Sequence, residues 1–452
     1  MLQSQHVVTI FQGYKMHTKK MLGFTSLIKC FSRLVKSTPD KRESYRTDYS
    51  MHDTIMSGLA CMYIQSPSLL EFQRRLDKKQ HRSNLKTQFI VQNIPKDTQM
   101  RELVDQASKE TFNPVFKEYL TRLQRNKWLL KYSYEDGAYL LPLDGTQFHS
   151  SKNISCEHCL TQEHKNGSVT YSHKVVQAAI VHPDHKQVIP MCPEEIRNED
   201  GDTKQDCEIN AAKRLMLKLK KMHPRLKYIR LGDSIYATTP FIKETLAQGD
   251  HYIFAVKPGD HTTLFENLKA VDYERHDESG KNKRYVYEWC KNVALTAGDD
   301  SIYVNVLRLR IVTPQDEGND KVTYIGTWIT DLGVNESNIV KLVKGARSRW
   351  RIENECFNTL KNQGYELKHN YGHGDKNLCF NFYLLTLLAF YIHQILELSD
   401  KLFQAVRKEC GTLKGTWIMI RSLFNMFVYN SWEAMMEHIL NSDDYYLHKA
   451  SP

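Results

Sequence analysis

The stretch RWRIENECFNTLK, Arg349 to Lys361, decides how the rest of the chain is read. It has the composition of a helix. At roughly 100° per residue, Ile352, Cys356, Leu360, Phe357 and Trp350 fall on one arc. Arg351, Asn354, Glu355, Asn358 and Thr359 fall on the other. Glu353 lands near the middle of the apolar arc, with Arg349 beside it one turn earlier. Surface helices turn their charges to solvent, and a carboxylate aimed at a core is costly unless a cation or metal compensates it. Two readings stay open. Arg349 and Glu353 form a buried ion pair that fixes packing, or Glu353 faces a site that needs negative charge.

The chain of 452 residues is long enough for two or three domains. Its 41% hydrophobic and 25% charged residues are ordinary for a soluble globular protein. A net charge of +10 suits a polyanionic partner. Ten cysteines are scattered, with one close pair at Cys156 and Cys159, which points to a reducing, cytoplasmic setting. Polar and basic residues interrupt Met1 to Lys20, so no secretory signal is expected, and Met21 is an alternative start. The most apolar run, Leu378–Leu398, contains Asn381, His393, Gln394 and Glu397, which predicts a buried helix and no membrane span.

Outward from the signature, the chain divides by texture. Residues 1–50 form a basic extension, with a short amphipathic helix at Phe24–Val35. Residues 51–135 read as a helical domain whose basic run, Arg74, Arg75, Lys78 and Lys79, is either a solvated face or a DNA contact. From 136 to 268 the expected order is three strands (Ala138–Leu143, Ser168–His182, Gln187–Met191), a helix, a strand, a helix and a strand. That order implies a mixed α/β sheet with parallel crossovers and flanking helices. Residues 269–333 read as a β-rich insertion, 334–398 as the second part of the α/β core, and 399–452 as a helical tail.

Two acids stand at expected strand ends, Asp144 in LDGT and Asp233 in GDSIYAT. Each alone is a common turn or cap residue. In a parallel arrangement such ends lie side by side, where open α/β sheets place their sites. With Glu353 they make three carboxylates that could converge. Carboxylates that close repel one another unless a cation holds them, and hard oxygen ligands select Mg²⁺ or Mn²⁺.

With LDGT at Leu143–Thr146, GDSIYAT at Gly232–Thr238 and RWRIE…FNTLK at Arg349–Lys361, the sequence resembles bacterial insertion-sequence transposases of the DDE type, in the subgroup with a Tyr–Arg–Glu–Lys signature. The likeness runs from about Asp53 to Leu398. It implies a ribonuclease H-like fold with the β-rich insertion before the last catalytic helix. It implies Asp144, Asp233 and Glu353 as catalytic ligands of two Mg²⁺ or Mn²⁺ ions, with Arg349, Trp350 and Lys361 at the DNA. The activity implied is hydrolysis at transposon ends followed by transfer of the freed 3′-hydroxyl into target DNA. The implied partner is double-stranded DNA, both terminal inverted repeats and target, held by a homodimer at the bacterial nucleoid. Two positions depart from the signature: Ala346 stands where it has Tyr, and its Lys position is Leu360, with Lys361 one residue later. Either the long lysine side chain still reaches the DNA backbone, or a π-bulge corrects the phase. Two other classes remain open: a cleavage-inactive DNA-binding relative, and a metal-dependent nuclease that does not join strands.

A second constellation, Cys156-x2-Cys159 with His164 and His173, has ligand types and a pair spacing compatible with zinc. The alternative is two free thiols and two surface histidines. His369 and His373, in the loop HNYGHGDKN, either line a DNA channel or belong to a polar loop. Glu194 and Glu195, after the third strand, are a reserve pair of acids.

Overall fold

The computed structural model describes residues 21–40, 42, 47–76, 79–198, 206–314, 320–368 and 371–441, without side chains for 75–83. The first twenty residues and His369 therefore lie outside the described part, as do the side chains of Arg75, Lys78 and Lys79.

Six helices lead: α1 (Phe24–Val35), α2 (Met51–Tyr63), α3 (Leu69–Leu76), α4 (Lys79–Phe89), α5 (Asp97–Gln106) and α6 (Asn113–Arg125). The strands β1 (Tyr139–Ser151), β2 (Leu160–Glu163), β3 (Val169–His182), β4 (His185–Pro190) and β5 (Glu194–Ile196) follow. Next come α7 (Glu208–Met222), β6 (Tyr228–Gly232), α8 (Thr239–Ala247), β7 (His251–Ala255) and α9 (Thr262–Asn267). Then come β8 (Glu274–Ser279), β9 (Arg284–Ala294), β10 (Tyr303–Thr313), β11 (Lys321–Thr330) and α10 (Ile339–Arg347). A π-helical segment, Ile352–Phe357, runs directly into α11 (Asn358–Asn362), before α12 (Leu378–Ser399) and the tail helices α13 (Lys401–Glu409), α14 (Leu413–Met426) and α15 (Trp432–Leu440).

The fold is α/β, built on one mixed, largely antiparallel sheet. Its main path runs β2-β3-β1-β6-β7-β11-β10-β9-β8, with β4 and β5 also paired to β3. Strands β1, β6 and β7 are mutually parallel neighbours, and β3 is antiparallel to β1. The β-rich stretch joins this sheet, because β11 pairs antiparallel with β7. Arg230 of β6 is buried but satisfied by Asp250 at 2.7 Å and by Thr245 and Gln248, which ties β6 to the end of α8 and the start of β7. A buried guanidinium persists only with such partners.

Helix α12 is apolar on all sides and sits against α2, α5, β4 and α13. It is long and apolar enough to cross a membrane, yet 89% of its most apolar window is buried inside the protein. A helix apolar all round belongs in a core. Its polar residues find partners there: Asn381 donates to the carbonyls of Val104 and Ala107. Its N-terminus is capped from outside, since Asp105 accepts the backbone N–H groups of Lys376, Asn377 and Leu378 at 3.0, 2.9 and 2.8 Å. One carboxylate from the end of α5 thus satisfies donors that a helix start leaves open.

Candidate functional site

Asp144 is not at the end of its strand. β1 continues to Ser151, because its polar second half stays paired with β3. What ends near Asp144 is the parallel pairing: Pro142 is the last residue of β1 opposite β6, and its partner is Leu231. Asp144 and Asp233 each lie two residues beyond that pair, so the register brings them level at the carboxyl end of two neighbouring parallel strands. Such ends are where open α/β sheets bind ligands. The Asp233 carboxylate also accepts from the Ile235 N–H at 3.1 Å, which shapes the turn after β6.

Glu353 joins them from the π segment, which packs against β1, β3 and β4. It does not face the core, as a regular helix would have it: its side chain is 48% exposed. The Arg349–Glu353 pair is likewise not a buried packing device. One Arg349 Nη1 lies 2.7 Å from Glu353 and 3.9 Å from Asp144, so two carboxylates flank one guanidinium. Ile352, Cys356, Phe357 and Leu360 make the buried face, whereas Trp350 is 43% exposed.

The π turn also changes the spacing of the signature. A π turn takes up about one residue more than an α turn, so the eight steps from Glu353 to Lys361 cover what seven cover in a regular helix. Lys361 is half-buried and within reach of the Asp144 charge. Burial and Lys368 hold its ammonium below the usual lysine range, while Asp144 pulls it back up.

A fourth acid, Glu208, belongs to the cluster and was not legible in the sequence, where it reads as an ordinary acid in the first turn of a helix. Its carboxylate accepts from the Tyr236 hydroxyl at 2.7 Å and from the Gly145 N–H. The two glycines beside the aspartates make this possible. A Cβ at Gly145 would strike the Glu208 carboxylate, and one at Gly232 would meet the Tyr236 ring at 2.7 Å. Asp144 bears the electrostatic consequence. Burial, opposed by Arg349 and reinforced by Glu353, Glu208 and Asp233, pushes it up to about 7. Burial penalises the charged form of a carboxyl, and neighbouring like charges add to that penalty.

The other expected residues divide. Arg74 is exposed on α3. Glu194 and Glu195 are no reserve acids: Glu194 is paired with Lys218 and Arg214, and Glu195 with Arg197 and His173. Cys156, Cys159 and His173 do come together, but His164 is exposed and bonded to the Thr170 hydroxyl at 2.7 Å. Its place is taken by His373, from the loop before α12.

These features define an α/β protein with a carboxylate cluster at the carboxyl ends of two parallel strands. No protein-family model and no curated protein matches the chain in sequence.

Proposed function

We propose that the chain is a DDE-type DNA transposase: a metal-dependent phosphoryl-transfer enzyme that cleaves DNA at transposon ends and joins the freed 3′-hydroxyl to target DNA. The observation that carries this reading is that Arg349 lies between Glu353 and Asp144, and that Asp144 in turn stands within charge range of Asp233. The strand order supports a ribonuclease H-like core, since β4-β3-β1-β6-β7 places an antiparallel β3 and a parallel β6 on either side of the first strand.

The donor set fits Mg²⁺ or Mn²⁺, because it offers carboxylate oxygens alone, in a partly buried cluster whose mutual repulsion a divalent cation would relieve. Asp144, Asp233 and Glu353 would hold the ions, and bound ions supply Lewis-acid stabilisation of the attacking and leaving oxygens of a phosphodiester. Glu208 positions the floor of the cluster through Tyr236 and Gly145. Arg349 orients Glu353 and limits the repulsion between it and Asp144. Lys361, within charge range of Asp144, and exposed Trp350 would contact a DNA strand bound at the cluster, and the net charge of +10 favours that polyanion.

The test is cleavage and strand transfer by the purified protein on duplexes carrying the inverted repeats that flank its coding region. Mg²⁺-dependent nicking and joining are expected, both lost in Asp144→Ala with DNA binding kept. Nicking retained by Asp144→Ala would sink the assignment. Nicking without joining would favour a nuclease, and binding without either a cleavage-inactive relative.

A further inference from the structure

The Cys/His cluster is apart from the acidic site and independent of its chemistry. Cys156 and Cys159 lie in the turn between β1 and β2, His173 lies on β3, and His373 lies in the loop before α12. The sulfurs are 3.8 Å apart. His173 Nε2 stands 3.5 Å from Cys156 Sγ and 3.4 Å from Cys159 Sγ. His373 Nε2 stands 3.3 Å from Cys159 Sγ and 3.2 Å from His173 Nε2.

These five lengths match five of the six edges of a tetrahedron, and all four ligand atoms lie within 4.8 Å of one another. With Zn–S near 2.3 Å and Zn–N of about 2.0–2.1 Å, a tetrahedral ion requires edges of about 3.8 Å between sulfurs, about 3.5 Å between sulfur and nitrogen, and about 3.3 Å between nitrogens. A disulfide is excluded at the observed S–S distance.

The outer groups are arranged for a metal as well. A metal-bound histidine needs its other nitrogen occupied, so that the ring presents a lone pair in a fixed direction. His373 Nδ1 donates to the Gly374 carbonyl at 2.8 Å, which leaves Nε2 free to ligate. His173 Nδ1 lies 3.3 Å from Glu195, whose side chain is 2% exposed and is held in turn by Arg197. Arg197 reaches on to Asn377 at 3.1 Å, in the same loop as His373. That loop takes its shape from Gly372 and Gly374, at φ of +137° and +68°, where a side chain is strained. Mixed thiolate and imidazole ligands in tetrahedral array select zinc over the hard cations of the acidic site.

We infer that Cys156, Cys159, His173 and His373 form a closed structural zinc site that fastens the loop before α12 to strand β3 and to the turn between β1 and β2. It joins positions 214 residues apart in the chain. With four protein ligands it keeps no open position for a substrate.

The test uses full-length protein purified without a histidine tag. Elemental analysis should give about one zinc per chain, and cobalt substitution should give the intense visible bands of a tetrahedral thiolate site. His373→Ala should lower zinc occupancy at least about tenfold, whereas His164→Ala should leave it unchanged. Glu195→Gln, which keeps the ligands, should weaken zinc binding about 10- to 100-fold in a chelator competition. If His373→Ala fails to fold, alkylation of the wild type decides: Cys156 and Cys159 should be protected until a zinc chelator is added. Wild-type protein that stays below about a tenth of an equivalent of zinc after zinc addition would overturn the inference. So would full occupancy in a folded His373→Ala protein, or thiols that react equally with and without chelator.

Discussion

The acidic cluster and the Cys/His cluster lie at different points along the same strand pair, β1 and β3. Asp144 pairs with Gln177 across β1 and β3, and His149 with ligand His173 a few residues further along. They solve opposite problems. In the first, burial, reinforced by the charges of Glu353, Glu208 and Asp233, pushes Asp144 far above its usual range in spite of Arg349. In the second, each histidine is propped by a backbone carbonyl or a buried glutamate, and the donors already stand at the edges an ion would set. On the proposed readings, a site that must admit DNA and exchange its ions would be left in electrostatic conflict, whereas a site that keeps one ion would be braced from behind its ligands.

The comparison breaks first at activity. Alanine at Asp144, Asp233 or Glu353 should each reduce strand cleavage by about a thousandfold or more, the several kcal/mol expected when charge stabilisation of a transferring phosphoryl group is lost. Affinity for end DNA, measured by gel shift in calcium, should stay within about threefold. Cleavage at near wild-type rates in any of the three would remove that residue from the site.

Stability separates the two clusters next. Cys159→Ser should lower the thermal midpoint by several degrees in zinc-containing buffer, while Cys207→Ser, at an exposed position, should leave it unchanged. Asp144→Asn should do the reverse in chelator. The folded carboxyl titrates at about 7, above its ordinary 3.8, so its protonated form is the one the fold tolerates. That contribution is complete below about pH 4 and is lost as pH rises through 7. The Asn variant should therefore be more stable than wild type by about 2–4 kcal/mol at pH 8, the gap closing by pH 4. Added Mg²⁺ should narrow the gap at pH 8 by stabilising the wild type, and a pH-independent gap in urea denaturation would count against this account.

Smaller effects sharpen the picture. Gly145→Ala should displace the Glu208 carboxylate and cost about tenfold in cleavage. Reading the effect in kcat with unchanged DNA affinity separates positioning from misfolding. Lys361→Ala should weaken end binding modestly and reduce the slope of log affinity against log salt by about 1, as expected for one lost phosphate contact. An unchanged slope would place Lys361 away from the DNA.

Much of this was legible in the sequence, for reasons that can be named. The helix at Phe24–Val35 has the bounds its periodicity predicts, and the Val- and Ile-rich runs became strands within a few residues of their expected limits. Asp144 and Asp233 were found because an apolar run that breaks at Asp and Gly marks the end of parallel pairing. The second half of β1 was missed because its residues, Gly145 to Ser151, are mostly polar, and only their partnership with β3 keeps them extended. Glu353 was turned the wrong way because a wheel assumes a constant step, which the π segment violates. Strands β2, β5 and β8 are too short or too polar to register. His373 and Glu208 were beyond reach because no local pattern links them to Cys159 or Asp144. His164 was named in place of His373 for the opposite reason, nearness in the chain.

The cap that Asp105 places on α12 has a mechanical consequence. The same carboxylate that closes the helix start holds Lys376 and Asn377, a few residues from His373. With Arg101, which donates to the Tyr371 carbonyl at 2.9 Å, it fastens α5 to the loop that carries a ligand of the Cys/His cluster. Any displacement of α5 therefore bears directly on the backbone that carries His373.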